Sequence, residues 1–208
     1  MAEEDDLQNF IEFCDSEFGK KVMKAEAGFI REKLGNNPGK ILDVGCGIGV
    51  FEQLLTDLNI TGLDSSEVFL AEAKQRSNKK FAPGDAEDLP FEDHEFGAVF
   101  SVATIEFLEN YQKALKEMYR VLKPGGLVVI LILNPHSEYF RMHMQKKDSY
   151  FKKMKHKSLR QIKGWFTALF QIEKGEYFLG IENGSKITNS KDERYAALYA
   201  LVGRKEMM

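Results

Sequence analysis

The sequence predicts an α/β fold with a doubly wound, mostly parallel sheet that has helices on both faces. Apolar runs typical of strands alternate with helical segments from residue 40 to residue 133, which is the pattern of parallel strands joined by crossover helices. The run LVVILIL at 127–133 is apolar at every position, as expected of a strand buried on both faces of a parallel sheet. A glycine-rich turn, GCGIG at 45–49, follows the first strand and favours a ligand site there.

The N-terminal segment is expected to be helical. Apolar residues recur at helical spacing over residues 7–34, which predicts one or two helices. Gly19 is the expected break between them, and NNPG at 36–39 is the expected turn before the first strand.

The central elements follow from short apolar runs that are bounded by turn residues. Ser65 or Ser66 is expected to cap the helix after the second strand, and KPGG at 123–126 is expected to end the last helix of this unit. The predicted strands are 40–44, 59–64, 80–83, 98–102 and 127–133, and the predicted helices are 48–57, 67–77 and 111–122.

The C-terminal third differs in composition from the centre. Residues 136–165 are polar, aromatic and basic, and we expect them to be helical in part. A sixth strand is expected at 170–173 or at 177–181, and YAALYALV at 195–202 is the expected last strand. Because no repeat or linker occurs, we expect a single domain over 1–208, made of a helical cap (1–37), a central core (38–133) and a lid segment with the C-terminal strands (134–208).

Composition excludes several classes of protein. The chain of 208 residues is 43% hydrophobic with a formal net charge of −3, so it is long enough for a sizeable core and lacks a global basic field for nucleic acid. Its two cysteines, Cys14 and Cys46, form no metal-binding pattern. The start, MAEEDDLQNF, has no apolar core, and no apolar run reaches the ~20 residues of a membrane span. We therefore expect a soluble, cytoplasmic protein without a metal or a membrane.

The spacing of the glycine turn argues against a phosphate ligand. The dinucleotide fingerprint is G-x-G-x-x-G, whereas this turn has G-x-G-x-G and carries Val50 where the third glycine would stand. No Gly-Lys-Ser/Thr ending of a P-loop is present. Asp43, just before the turn, would repel a pyrophosphate and would suit a ligand with a cationic amine and a sulfonium centre. A nicotinamide-dependent oxidoreductase is therefore only an outside alternative.

Four segments in order resemble the class I S-adenosylmethionine-dependent methyltransferases, most closely the small type 11 subfamily. DVGCGIG at 43–49 is similar to the first motif of that family, and Asp64 ends the second strand where the family has an acid. GDAEDLPF at 84–91 and EMYRVLKPGGLVVI at 117–130 are similar to the family's later segments. The resemblance covers residues 38–133.

This resemblance implies a seven-stranded sheet whose last strand is antiparallel, with S-adenosylmethionine as cofactor and S-adenosylhomocysteine as product. Asp64 would bind the ribose hydroxyls and Asp85 the adenine amino group, while glycines without side chains would let the methionine part approach the backbone. The residues predicted to bind the cofactor are Asp43, Gly45, Cys46, Gly47, Gly49, Asp64, Ser65, Asp85, Ala86, Glu87, Ser101 and Val102.

The acceptor side is less defined. Glu106 stands where related enzymes often have a histidine, and it is a candidate general base, a charge partner for an amine, or a helix N-terminal acid. His136, Tyr139 and His143 are further candidates for the catalytic pocket. No base is strictly required, because the sulfonium is already activated and in-line positioning supplies much of the acceleration.

Residues 145–165 carry eight Lys or Arg against one acid. They are either a basic surface for RNA or, as we prefer, a lid over the acceptor. The sequence thus predicts methylation of a small-molecule acceptor, with a bias toward anionic compounds and without nucleic acid. The alternatives are an RNA or protein methyltransferase and a binding protein that has lost catalysis.

Overall fold

The computed structural model describes residues 2–35 and 39–207, so most of the turn predicted at 36–39 lies outside the described residues. The strands are β1 Lys40–Val44, β2 Asn59–Asp64, β3 Lys80–Pro83, β4 Phe96–Val102, β5 Leu122–Leu133, β6 Gln171–Glu182, β7 Lys186–Thr188 and β8 Ala196–Arg204. The helices are α1 Ala2–Asp15, α2 Glu17–Leu34, α3 Val50–Leu54, α4 Glu67–Arg76, α5 Tyr111–Val121, α6 Glu138–Gln145 and α7 Leu159–Leu169, with 3-10 turns at Ile105–Phe107 and Tyr150–Lys153.

The strands form one sheet in the order β3-β2-β1-β4-β5-β8-β6-β7. Strands β1 to β5 pair in parallel, whereas β8 runs antiparallel to both β5 and β6. The antiparallel last strand is therefore confirmed. The described sheet has eight strands rather than the predicted seven, because the three-residue β7 adds a hairpin edge to β6, and a strand that short has no readable alternation.

Both candidate sites for the sixth strand belong to β6, which is continuous through a register shift between Ile172 and Lys174. The helix before KPGG ends at Val121, close to the prediction, but residues 123–126 lie inside β5, which begins at Leu122 and pairs there with Phe96. The helix predicted at 48–57 is shorter and spans only Val50–Leu54.

Helices cover both faces of the sheet. Along β5 the side chains alternate, so that Val129 and Leu131 join one hydrophobic cluster while Val128 and Ile130 join the other. The first cluster packs beneath α2 and α3, and the second beneath α5 and α7. Burial on both faces explains why this strand is apolar at every position.

The sequence predicted the break between the first two helices at Gly19, but the break lies at Ser16. Ser16 is the N-cap of α2, and its side chain accepts a hydrogen bond from the Gly19 N–H. Gly19 lies within α2 because the two helices approach closely there: a Cβ at this position would lie 1.8 Å from the Phe13 carbonyl oxygen. The glycine therefore permits a close contact and does not interrupt a helix.

Among residues 2–35 and 39–207, no helix combines the length and the apolar character needed to cross a bilayer.

Candidate functional site

A chamber of about 960 Å³ lies at the carboxyl ends of the parallel strands. It is lined at one end by the residues that follow β1, β2 and β3, and at the other by β5, β6 and β8. Ligands of open α/β sheets bind at this edge, and the volume is at the upper end of the ~300–1,000 Å³ that ligand pockets have. A shallower hollow between α5 and α7, near Tyr111 and Trp165, is far from these strand ends.

The glycine turn forms part of the chamber wall. The backbone N–H groups of Gly45 and Cys46 both donate to the Leu63 carbonyl, at 2.8 and 2.9 Å, which fixes the turn against β2. Gly45 has φ +81° and no room for a side chain, since a Cβ would lie 2.3 Å from Thr104 Oγ1. Gly45, Cys46 and Gly47 line the chamber, whereas Gly49 does not and instead packs closely on Phe81.

Asp64 connects the turn to the next helix. Its Oδ2 accepts the Gly47 N–H at 2.9 Å and its Oδ1 accepts the Ser66 N–H at 3.0 Å. Burial raises the pKa of this carboxyl, against the opposing effect of these N–H groups. Asp64 and Ser65 both line the chamber. Because a carboxylate has about four acceptor sites, Asp64 retains capacity for the hydroxyls of a ribose, and this end of the chamber fits the predicted cofactor.

The segment after β3 contributes Asp85 and Ala86 to the lining. Asp85 Oδ1 accepts the Glu87 N–H at 2.8 Å, which shapes the turn. Glu87 itself does not line the chamber, and its Oε1 accepts the Asn110 N–H at 2.7 Å. From β4, Val102 lines the chamber, while Ser101 is buried and donates to the Val44 carbonyl at 2.8 Å, tying β4 to β1.

Asp43 lies beneath the turn, outside the chamber lining, beside a second buried acid, Glu52. Asp43 Oδ2 and both Glu52 carboxylate oxygens have no donor among the described residues, so a shared proton is what satisfies the pair. Burial and the neighbouring carboxylate raise the pKa of Asp43, and burial raises the pKa of Glu52 to about 7. Both effects favour a proton on the pair compared with isolated carboxyls.

Glu106 is fully buried and does not line the chamber. Its Oε1 accepts the Leu133 N–H at 2.8 Å, and its carbonyl accepts the N–H groups of Lys155 and His156, each at 3.0 Å. Burial raises its pKa to about 7. The residue thus connects the loop after β4 to the end of β5 and to the segment before α7.

Of the other three candidates for the acceptor side, two line the chamber and one does not. His136 is exposed and lies outside the lining. Tyr139 and His143, one turn apart on α6, line the chamber with ring centroids 4.5 Å apart. Burial raises the pKa of Tyr139 to about 12 and lowers that of His143 to about 4, so both side chains are neutral at pH 7.

A roof covers the chamber. It consists of α1, α2, α6 and the 3-10 turn Tyr150–Lys153. Helix α1 contributes Phe10 and Phe13 to the lining, and the 3-10 turn contributes Tyr150 and Phe151. The roof is held across the molecule by an ion pair between Lys153 and Asp6. Of the segment that the sequence suggested as a lid, residues 146–151 line the chamber. Residues 152–165 do not, and α7 packs with α5 in the other hydrophobic cluster.

Sequence reasoning missed Glu26. This residue of α2 lines the chamber, is only 4% exposed, and its Oε2 has no hydrogen-bond partner among the described residues. Burial raises its pKa to about 8. The sequence did contain a sign of this burial, because Glu26 lies within the apolar face of α2. That face is formed by Val22, Met23, Ala27 and Ile30. The wall formed by β6 and β8, which includes Leu179 and Leu198, had no readable signal.

Within residues 2–35 and 39–207, no group of three or more His, Cys, Asp or Glu side chains is arranged to hold a metal ion.

Comparisons with known proteins agree with this geometry. Residues 42–130 match the family model described as "Methyltransferase domain", of type 11. A demethylmenaquinone methyltransferase of Staphylococcus aureus is 38% identical over 136 residues, which cover 61% of this chain and 54% of that protein. The chain thus spans about half the length of the relatives it matches.

Solved structures show the same fold. A methyltransferase of Thermotoga maritima dependent on S-adenosylmethionine superposes with a TM-score of 0.79 at 23% identity, over 96% of this chain and 95% of that chain. One from Archaeoglobus fulgidus has a TM-score of 0.73 at 20% identity, over 93% and 96% of the two chains. The family match and the fold imply S-adenosylmethionine as the cofactor, as the sequence predicted. Residues 42–130 are therefore similar to a methyltransferase domain, and the chain has the fold of the S-adenosylmethionine-dependent methyltransferases.

Proposed function

We propose that this protein is a methyltransferase that uses S-adenosylmethionine to methylate a small-molecule acceptor by in-line displacement. One observation carries the proposal: a single roofed chamber joins the glycine turn and Asp64 at one end to an apolar wall from β5, β6 and β8 at the other. Such a chamber has room for two ligands side by side, which is what a group transfer between them requires.

The chain's own residues would bind, orient and exclude water. Gly47 leaves the backbone open to a close ligand, Gly45 makes room for the Thr104 side chain, and Asp64 supplies a fixed acceptor for hydroxyl groups. The roof of α1, α2 and α6 excludes solvent, so that the acceptor is held in line without competing water. The bound cofactor supplies the activated methyl group. Among the predicted binding residues, Asp43, Gly49, Glu87 and Ser101 would act indirectly, by shaping the turn and the strand ends.

The acceptor is a small molecule in this proposal, because the S. aureus relatives are named for methylating demethylmenaquinone and the acceptor end is enclosed. The basic segment 145–165 suggested an anionic acceptor, but we do not include an anionic acceptor in the proposal. Apart from Glu26, whose raised pKa favours the neutral form, the described lining has more acids than lysines: Glu3, Asp6, Asp64, Asp85 and Asp148 against Lys146 and Lys147. The field inside the chamber therefore favours a neutral or cationic compound.

A binding measurement tests the cofactor half of the proposal. S-adenosylmethionine and S-adenosylhomocysteine titrated into the protein in a calorimeter should bind with saturable heats, whereas NADH should not. Clear binding of NADH without binding of the sulfonium would overturn it.

A transfer measurement tests the other half. Incubation of the protein and a pooled metabolite extract with methyl-labelled cofactor should give a labelled small product. Cofactor binding with no labelled product from any acceptor class would instead support a binding protein without catalysis.

RNA methylation is tested by salt dependence. Several lysines of the basic segment are already engaged, since Lys153 pairs with Asp6, Lys155 pairs with Glu109 at 2.5 Å, and Lys152 donates to the Lys147 carbonyl at 3.0 Å. We therefore expect weak binding of a generic single-stranded RNA, with a shallow dependence on salt. Tight binding with a steep slope between low and physiological salt, and a labelled RNA product, would favour the RNA alternative.

A further inference from the structure

Glu26 lies at the end of the chamber that the cofactor motifs do not use. Those motifs follow β1, β2 and β3, whereas α2 packs on β5 and β6, with Phe29 and Phe178 in ring contact at 4.5 Å. From β2 to β6 the sheet order gives five strand intervals, which at ~4.8 Å each amount to about 24 Å. The chamber is long enough to separate a cofactor end from an acceptor end.

The surroundings of Glu26 are apolar. Buried side chains of Val22, Met23, Leu179 and Leu198 line this part of the chamber. The other acids of the lining lie on other elements: Asp64 and Asp85 belong to the cofactor end, Glu3 and Asp6 lie on α1, and Asp148 lies in the loop after α6. Glu26 is thus the acid that faces the acceptor end within the described lining.

No donor among the described residues hydrogen-bonds the buried Oε2 atom of Glu26. The titratable groups that face Glu26 are the Cys14 thiol on α1 and the Tyr139 phenol on α6. Burial raises the pKa of each of these groups to about 12, so neither group carries a charge at pH 7. The His143 imidazole behind Tyr139 is also neutral, since burial lowers its pKa to about 4. An orphaned carboxyl oxygen in an apolar wall is costly unless a ligand supplies the missing partner.

We propose that Glu26 hydrogen-bonds the methyl acceptor, and that the acceptor is a largely apolar, ring-containing molecule with one hydroxyl or amino group directed at α2. This inference rests on the proposed function and deepens it. The apolar and aromatic wall holds the body of the molecule, and the one buried acid selects the compound that carries a donor. A carboxylate or carboxyl oxygen accepts such an O–H or N–H group, and the Tyr139 ring closes the site beside it.

Matched probes test this without knowledge of the natural acceptor. The probes are 2-naphthol, 2-naphthylamine, 2-methoxynaphthalene and naphthalene, which share a two-ring body and differ in whether they carry a donor. Binding is measured by calorimetry to the protein saturated with S-adenosylhomocysteine at pH 9, above the pKa of Glu26, so that the carboxylate can only accept a hydrogen bond. We expect 2-naphthol and 2-naphthylamine to bind about tenfold or more tightly than the two probes without a donor, as one buried hydrogen bond predicts.

Three variants separate the role of Glu26 from general effects. Glu26→Leu should abolish the preference for the donor probes and leave naphthalene binding intact or improved. Glu26→Gln keeps an oxygen acceptor with nearly the same shape and should keep part of the preference. Glu32→Gln neutralises an exposed carboxylate of the same helix that lies outside the lining and should change nothing. Thermal unfolding of each variant shows whether it is folded.

The outcomes are distinct. A preference that persists in a folded Glu26→Leu protein, wild-type affinities that differ less than twofold, or no binding of any probe at millimolar concentration would each overturn the inference. If the wild type binds S-adenosylhomocysteine in any of these cases, the proposed function stands. If it does not bind S-adenosylhomocysteine at all, the proposed function itself fails.

Discussion

Asp64 holds the glycine turn and faces the chamber at the same time. We expect Asp64→Ala to weaken the binding of S-adenosylhomocysteine by roughly ten- to hundredfold, because charge-assisted hydrogen bonds are worth about 1.5–3 kcal/mol. The variant also loses the acceptor of the Gly47 and Ser66 N–H groups. Calorimetric titration measures the loss, and far-ultraviolet circular dichroism checks that the sheet persists.

Glu67→Ala is the matched control, since it removes an exposed carboxylate three residues away in the first turn of α4. It should bind the cofactor product as the wild type does. An unchanged dissociation constant in Asp64→Ala would show that this carboxylate only caps the turn.

Glu106 is a connecting residue in this structure and not a base in contact with the chamber. We expect Glu106→Gln to keep near wild-type turnover, because the amide oxygen still accepts the Leu133 N–H. Glu106→Ala should lower the free energy of unfolding by about 1–3 kcal/mol, since it leaves that N–H without a partner. Chemical denaturation and methyl-transfer rates measure the two effects. A hundredfold or larger loss of turnover in Glu106→Gln, as for a general base, would contradict this.

At the scale of single residues, the sequence indicated those site residues that have polar side chains and stand at the end of a predicted strand. Asp64 and Asp85 each follow a short apolar run, and parallel strands bring such ends to one edge of the sheet. Glu26 was missed because helical periodicity shows which face is buried but not what lies opposite. Its environment comes from β6, β8 and α6, which are far away in the sequence.

Among the elements, the crossing of α1 and α2 is the most sensitive to side-chain size. We expect Gly19→Ala to cost about 1–3 kcal/mol in the free energy of unfolding, because the new Cβ would overlap the Phe13 carbonyl and push the helices apart. It should also weaken binding at the chamber, since both helices form its roof. Urea denaturation and the calorimetric titrations measure these changes.

Gly28→Ala provides the control within the same helix. Nothing lies within 4 Å of a Cβ at Gly28, so the substitution should raise stability by about 0.5–1 kcal/mol through helix propensity alone. Equal effects of the two substitutions would show that the helices do not meet at Gly19.

At the element scale, the strands β1, β2 and β3 were predicted with their observed bounds because each apolar run is closed by turn residues on both sides. The errors have different causes. Lys186–Thr188 is a strand only because β6 offers it an edge. The KPGG segment resembles a turn, yet Gly125 with φ +72° stays in β5 because the chain pairs there with neighbouring backbone, including the bond from Gly125 N–H to the Lys205 carbonyl.

Over the whole molecule, several buried acids favour the protonated form. Burial raises the pKa of Glu26 to about 8 and that of Glu52 and Glu106 to about 7, and it also raises those of Asp43 and Asp64. An acid whose pKa is higher in the folded state than in the unfolded state stabilises the fold fully below its unfolded pKa, and this stability is lost as the pH rises through the folded value.

We therefore expect the free energy of unfolding to fall by at least about 2 kcal/mol between pH 5 and pH 9, since each unit of pKa shift corresponds to about 1.4 kcal/mol. Urea denaturation across that range measures it. Glu26→Gln removes one of these acids and should give a shallower decline, whereas Glu32→Gln, at an exposed position of the same helix whose pKa is lowered by Lys33, should not. Stability that is constant or increases between pH 5 and pH 9 would be inconsistent with the burial of these carboxyls.

The paired acids beneath the glycine turn also affect how the heat of ligand binding should be interpreted. A cationic ligand that settles above Asp43 and Glu52 lowers their pKa values, so the pair gives its proton to the solvent as the ligand enters. The buffer takes up that proton, and its ionisation enthalpy becomes part of the measured signal. Titrations of S-adenosylmethionine in phosphate and in Tris near pH 7 should thus differ in apparent enthalpy while agreeing in affinity. The difference between the two buffers should shrink as the pH rises and the pair loses its proton before the ligand enters.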